Sequence, residues 1–576
     1  VFALQVGIDE TLKCNLAIED ADALFGRPMG IPKTGVFGLY DLIGIDLMAD
    51  VVVSLGNILP ADDMFHAVGA ANPAIAAMIA AGFTGDKGKG GFYCLDGTKR
   101  MARQFAGFDG TGMPPLKPAK TKLPAAAIAA AEAVARQDEP LFMLLDGHDG
   151  QARFCRRVLG RILHYAASLV PSVTTTPQDI DDAMKLGFNW QRGPFEMIDA
   201  IGQQRFAALL DECSLTVPAF LEDGAPNYSV QAGSLMVRHA DGARQPVNLP
   251  EGVMRFHMTR RTLHPILTND AASLFALDGN LRLVEFHSKA NALTDASMEI
   301  VAAAAKDHGV GIIIHNDAQH FSAGVDLNAF RRMIEAGQWD EIDGFLLRFQ
   351  TAVAALKYAP VPVVGAPSGL AAGGGFEVLA HCDKLVVHTN SVLGLVEAAV
   401  GVVPSGGGVK ESYLRWYAHL GDWEQAAWNA WMNLGYAATG SSPELASRMQ
   451  YFRQDHDETV MNRDRLLPRA IQLVTKMAAS YTPPKPPKAE LAPAALAEKM
   501  AGFMQDGVDR GDFMLHDKTV AMQIATIMVQ SPDEDSLIDE DGLFARERAA
   551  FIRLAKTPET HARISAMLDD GAPVRN

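Results

Sequence analysis

The chain has 576 residues, 48% hydrophobic and 21% charged, with a formal net charge of −17. That is ordinary globular usage at a length that suits three or four domains. The acidic balance argues against a nucleic-acid or anionic-membrane partner, while leaving room for an anionic small molecule that meets a local basic patch. The five cysteines (Cys14, Cys94, Cys155, Cys213, Cys382) show no CxxC spacing. No structural disulfide or cysteine-held metal is expected, and a reducing, cytoplasmic setting is. No apolar run is long enough to span a bilayer, and no secretory leader is evident.

Val1 to Cys14 reads as a helix entered part-way, so the chain is expected to be the C-terminal part of a longer polypeptide. A repeat follows. Gly35-Val36-Phe37-x-x-x-Asp41-x-x-Gly44 recurs as Gly193-Pro194-Phe195-x-x-x-Asp199-x-x-Gly202, an offset of 193 − 35 = 158. Acidic helical stretches upstream, Ala17–Leu24 and Thr176–Met184, match roughly. A period this long signals a duplicated domain, not a solenoid. Apolar spacing of three and four through Leu159, Ile162, Leu163 and Ala166 makes each copy a small all-α domain, expected over 1–112 and 136–245. A proline- and lysine-bearing linker, 113–135, lies between them, with an alanine-rich helix at Ala125–Arg136; a connector covers 246–269.

From residue 270 the pattern changes. Ala272–Leu277 and Leu281–His287 flank Asp278-Gly279-Asn280, a hairpin signal. Helices are expected at Asp295–Asp307 and Trp339–Leu356, with strands at Val310–His315 and Val361–Gly365, which makes 270–576 an α/β domain with a helical tail.

That domain carries the chemistry. Gly373-Gly374-Gly375 precedes a helix-like run, Phe376–His381, and three glycines in a row make sense where backbone meets a ligand or packs closely on a neighbour. Glu377 falls in the first turn, where a glutamate also serves as a simple dipole-favouring cap. Glu397 sits in an otherwise apolar stretch, Val392 to Val403, where a carboxylate is either desolvated, with a raised pKa, or exposed at a loop edge. Phe321-Ser322-Ala323-Gly324-Val325-Asp326 and Gly401-x-x-Pro404-x-Gly406-Gly407 add two more places for close backbone approach.

These motifs in this order, over residues 270 to about 420, resemble the enoyl-CoA hydratase/isomerase (crotonase) superfamily, whose hydratases show the same spacing, 397 − 377 = 20. The resemblance implies Glu377 and Glu397 as catalytic residues holding a water, Glu377 assisting its attack at C3 and Glu397 delivering a proton to C2. It implies the backbone amides of Val325 and Gly374 as the oxyanion hole. Ala323, Lys289 and Ala292 fall where the family lines the coenzyme A nucleotide. Phe376 and Leu395-Val396 depart from the pattern without removing a catalytic atom. His320, beside the oxyanion loop, has no matched role and reads as a packing or surface residue.

Gly85-x-Lys87-x-Lys89-Gly90-Gly91-Phe92-Tyr93, with the Phe37/Asp41/Gly44 pattern, resembles the C-terminal domain of 3-hydroxyacyl-CoA dehydrogenases. The second copy keeps Gly193-Pro194-Phe195-Glu196 and Asp199 but no recognisable Gly-Lys-Gly-Phe-Tyr segment, and it reads as structural. The whole order resembles bacterial multifunctional β-oxidation proteins. That resemblance implies trans-2-enoyl-CoA hydration here, an acyl-CoA thioester as substrate, and neither metal nor cofactor bound by this chain. NAD is expected only in the intact protein, through a Rossmann domain before Val1, so this chain is not expected to oxidise a hydroxyacyl-CoA. A thiolase and a second copy of the chain are the candidate partners. The alternatives are an enoyl-CoA isomerase, which works with the second glutamate, and a non-catalytic acyl-CoA-binding scaffold for a thiolase.

Overall fold

Helical apolar stripes in the first part of the chain and short β-branched runs in the second sort it into two units, Val1–Asn248 and Leu249–Asn576. The computed structural model describes residues 1–576 apart from 71, 98, 106–112, 122, 136–140 and 532–533. The expected linker edges at 112 and 136 therefore lie outside the described residues.

The first unit is largely helical. Helices Phe2–Lys13, Ile18–Leu24, Phe37–Ile43 and Ile45–Ile58 are followed by an antiparallel sheet of Tyr93–Asp96, Lys99–Arg103 and Leu116–Pro118. Helices Gly150–Ser168, Pro177–Phe188, Pro194–Ile201 and Gln203–Glu212 precede a second antiparallel sheet, Tyr228–Gln231, Ser234–Arg238 and Arg244–Pro246. The all-α expectation misses both sheets. Their strands are three to five residues long, too short for alternation to register.

Buried or half-buried aspartates tie each helical group to its sheet. Asp22 accepts from the amides of Val36, Phe37 and Gly38 at 2.7, 2.7 and 2.9 Å and from Tyr93 Oη at 2.8 Å. Asp41 accepts from the amides of Phe92 and Tyr93, both at 2.8 Å. In the later segment Asp181 accepts from the amides of Phe195 and Glu196 at 2.7 and 3.2 Å and from Tyr228 Oη at 2.8 Å. Asp199 accepts from the amides of Asn227 and Tyr228, both at 2.8 Å. Asn227-Tyr228 thus takes the position that Phe92-Tyr93 holds earlier. The glycine-lysine context is gone there, but the hydroxyl and the two amides that bind the aspartates remain.

The second unit is built on a seven-stranded sheet in the order Glu458–Val460, Lys384–His388, Val363–Gly365, Ile312–Ile314, Leu281–Phe286, Ala272–Leu277, Pro265–Thr268. The first five strands run parallel, and the last two extend it antiparallel. The edge strand Pro265–Thr268 and the short helix Phe256–Thr259 lie in the stretch expected as a connector. Helices Asp295–Lys306 and Trp339–Lys357 cover one face, where Leu274, Val284, Ile312 and Ile314 share a core with Ile300, Phe345 and Phe349. Leu466–Ala478 covers the other, packing Leu467, Ala470 and Val474 against Ile313 and Val364. The tail is helical: Ala495–Arg510, Leu515–Met528, Glu540–Ala555 and Pro558–Asp570. Among the described residues no helix is long and apolar enough to cross a membrane.

Candidate active site

A second, small sheet sets the position of the two glutamates. Leu370–Ala372 pairs in parallel with Val392–Gly394, with Ala372 opposite Gly394. Gly373 N continues the ladder to Gly394 O at 2.9 Å. Both strands end at the same level, and each then turns into a short helix, Gly374–Ala380 or the 3₁₀ turn Glu397–Val400. Glu377 and Glu397, twenty positions apart in sequence, leave neighbouring strand ends in the same direction. Only glycine fits at the first turn: Gly373 has φ +52°, and a Cβ there would lie 2.8 Å from Glu397 Oε1.

The two carboxylates are held differently. Glu377 is buried, and its Oε1 accepts from the amides of Gly406 and Gly408 at 2.7 and 2.8 Å. Among the described residues nothing donates to Oε2, so that oxygen is available to a water. A side chain at Gly408 would meet Glu377 Oε1 at 2.8 Å and Pro404 Cβ at 2.7 Å, which is why the run stays glycine. Glu397 is half-buried, and its Oε2 is enclosed with no hydrogen-bond partner. Burial pushes the Glu377 carboxyl up to about 7, against the pull of the Gly408 and Gly406 amides and Lys410. Burial, and then the negative charge of Glu377, hold Glu397 well above the usual carboxylate range. Within the pair Glu397 is the more readily protonated, because Glu377 has donors that favour its charged form and Glu397 has an oxygen with none.

Val325 and Gly374 face one another. A Cβ on Gly374 would sit 3.0 Å from Val325 Cγ1, and one on Gly324 would sit 3.6 Å from Gly374 N. Gly374 is the first residue of its helix, where amides have no intrahelical acceptor. Among the described residues neither the Val325 nor the Gly374 amide donates to an acceptor. The loop that carries Val325 is fixed to the small sheet by Ala372 N donating to Ser322 O at 3.1 Å.

Ala323, Lys289 and Ala292 share one surface patch. Ala323 N donates to Ala290 O at 3.1 Å and Leu293 N to Gly324 O at 2.8 Å, while Ser322 Oγ donates to Asn291 O at 2.7 Å. Lys289 and Ala323 are exposed beside this seam. His320 accepts from Leu370 N at 3.3 Å through Nδ1, and its carbonyl accepts from Asn291 Nδ2 at 2.9 Å. It braces the loop that carries Val325.

Sequence reasoning missed a buried charged cluster behind Glu377. His381 Nδ1 bonds Glu377 O at 2.7 Å, and its Nε2 lies 3.0 Å from Lys410 Nζ. Lys410 pairs with Glu540 and Glu411 at 2.6 and 2.7 Å. Burial opposes its charge, but Glu411 and Glu540 outweigh burial and raise its pKa. Burial, then Lys410, keep His381 neutral. Glu540 and Glu547 lie on the same helix stripe as buried Leu543, Phe544, Ala550 and Phe551. Two glutamates at apolar spacing were the signal that could have found them.

Residues 279–420 match the enoyl-CoA hydratase/isomerase family. Residues 154–242 match the 3-hydroxyacyl-CoA dehydrogenase C-terminal domain family. The chain thus matches, in order, a dehydrogenase C-terminal domain family and the enoyl-CoA hydratase/isomerase family. The dehydrogenase match falls on the segment whose sequence departs more from that family's glycine-lysine pattern. A "Probable 3-hydroxyacyl-CoA dehydrogenase" of Bacillus subtilis is 27% identical over all of this chain and 73% of its own length. A "Putative fatty acid oxidation complex trifunctional enzyme" of Rickettsia felis is 27% identical over 98% of this chain and 72% of its own. An enoyl-CoA hydratase/isomerase structure from Mycobacterium paratuberculosis, 15% identical, covers 52% of this chain and 98% of its own at a TM-score of 0.35.

Proposed function

We propose that the second unit adds water to trans-2-enoyl-CoA thioesters, giving 3-hydroxyacyl-CoA, as a step of fatty-acid β-oxidation. The observation that carries this is the asymmetric carboxylate pair, one oxygen of Glu377 held by two amides and one oxygen of Glu397 enclosed without a donor. The thioester oxygen sits between the amides of Val325 and Gly374, which favour the enolate that forms; removing one such donor elsewhere costs about 2.7–4 kcal/mol. Ionised Glu377 takes a proton from water through Oε2 as the water oxygen bonds to C3. Protonated Glu397 gives its proton to C2. One proton is taken and one is given, so the pair resets when the proton on Glu377 passes to Glu397. Ala323, Lys289 and Ala292 form the edge along which the coenzyme A nucleotide lies.

Loss of the enoyl chromophore of crotonyl-CoA tests the reading; no hydration by the folded wild type refutes it. Its pH dependence has a definite sign. With Glu377 near 7 and Glu397 well above the carboxylate range, kcat/KM is expected to rise with pH through about 7, as the base ionises, and to fall again once Glu397 loses its proton. A profile flat across neutrality contradicts this assignment of acid and base.

The matched aspartate–tyrosine ties at Asp22/Tyr93 and Asp181/Tyr228, with Asp41 and Asp199, support a duplicated dehydrogenase-type domain with boundaries near 1–112 and 136–245. Both sheets of this unit are antiparallel, and among its described residues no parallel strand ends on a glycine-rich helix. By analogy with the family, we assign a thiolase partner, self-association and a cytoplasmic location to the protein, with NAD-dependent oxidation of its hydroxyacyl product as the following step.

A further inference from the structure

A third carboxylate meets the glycine run from the far end of the chain. Glu547, on helix Glu540–Ala555, is 0% exposed. Its Oε2 accepts from Gly407 N and its Oε1 from Lys410 N, both at 2.8 Å. Its carbonyl accepts from Ser405 Oγ at 3.2 Å. Gln350 ties the same two segments, donating to Ser405 O at 2.8 Å and Phe544 O at 3.0 Å. Within Gly406–Lys410, then, the amides of residues 406 and 408 hold Glu377 while those of 407 and 410 hold Glu547. Two buried carboxylates divide one helix N-terminus between them. An apolar residue here would leave the Gly407 and Lys410 amides buried and unpaired, so the carboxylate holds this turn at the cost of desolvating a charge.

We propose that Glu547 is a positioning residue for the Glu377–Glu397 pair, fixing the turn whose amides orient Glu377. The proposal rests on the hydratase reading. The charged groups around it come from several elements: Glu377 on helix Gly374–Ala380 and His381 just past its end, Lys410 and Glu411 on helix Gly408–Leu420, Lys357 on helix Trp339–Lys357, Glu540 and Arg548 on its own, and Glu397 on the 3₁₀ turn. Lys410 Nζ is committed to Glu540 and Glu411, and Arg548 turns toward Gln350 and Asp343. Neither side chain is hydrogen-bonded to Glu547, although the Lys410 charge partly offsets the rise in its pKa. Burial and repulsion from Glu377 raise its own pKa well above the ordinary value, and its charge in turn raises that of Glu397. Repulsion being mutual, Glu547 also favours a proton on the pair.

The test compares wild type, Glu547→Gln and Glu547→Asp on crotonyl-CoA, with kcat and KM taken across pH and melting recorded. In Glu547→Gln, kcat is expected to fall by up to about 10²-fold with KM near wild type, and the acid limb of the pH profile to move to lower pH. Glu547→Asp keeps the charge but draws it back from the turn, so kcat falls and the limb stays. A folded Glu547→Gln enzyme with wild-type kcat, or with lowered kcat and an unmoved limb, overturns the proposal. Should Glu547→Gln fail to fold, wild-type kcat in Glu547→Asp overturns it. A wild type that does not hydrate overturns the hydratase reading itself, a distinct outcome.

Discussion

Glu397→Gln is expected to abolish crotonyl-CoA hydration, and Glu377→Gln to lower kcat by about 10²–10⁴-fold, the range that a positioned acid or base contributes. Both changes preserve volume, which separates chemistry from packing. In Glu377→Gln the amide oxygen can still accept from Gly406 and Gly408 N–H, so the turn keeps its anchor. The nitrogen then replaces Oε2, and an N–H facing water cannot take its proton. Gln at 397 has no acidic proton for C2. KM should change little, because Ala323, Lys289 and Ala292 lie on a separate patch. Steady-state kinetics with circular dichroism check both variants, and wild-type kcat in either one sinks the two-carboxylate mechanism. The isomerase alternative predicts a different pattern on a 3-enoyl substrate, with Glu397→Gln dead and Glu377→Gln active.

Asp181→Ala and Asp22→Ala are each expected to cost the first unit about 3–5 kcal/mol, among the larger effects of single substitutions. Asp181 satisfies two amides and a tyrosine hydroxyl, and Asp22 satisfies three amides and a tyrosine hydroxyl. Alanine leaves these donors buried and unpaired, at about 1–3 kcal/mol each before relaxation. Urea unfolding would show the midpoint of the first unit falling, while crotonyl-CoA hydration by the second unit persists at low urea. A change under about 1 kcal/mol would mean that water replaces the carboxylate, and the ties would not be what holds helices to sheet.

Legibility in the sequence followed the kind of partner each residue has. Glu377 and Glu397 could be paired from sequence because each follows closely on a strand of fixed register, Ala372 opposite Gly394, and glycine-rich turns mark the exits. The oxyanion candidates were readable because glycine itself is the signal for exposed backbone. Glu547 was not, since its partners are amides of Gly407 and Lys410, which any residue supplies. Asn227-Tyr228 escaped notice for a related reason: two main-chain donors and one hydroxyl do the binding, so the surrounding glycines and lysines could change. The sheets of the first unit were hidden by strand length. In each case side-chain motifs were visible and side-chain-to-backbone ties were not.

The tie between Glu547 and the glycine run has a consequence for biosynthesis. The amides that it grips were translated 547 − 407 = 140 residues earlier. The sheet, Glu377 and Glu397 leave the ribosome before the helix that carries Glu547. The turn that anchors Glu377 therefore gains its Glu547 bonds only once this late helix has been made.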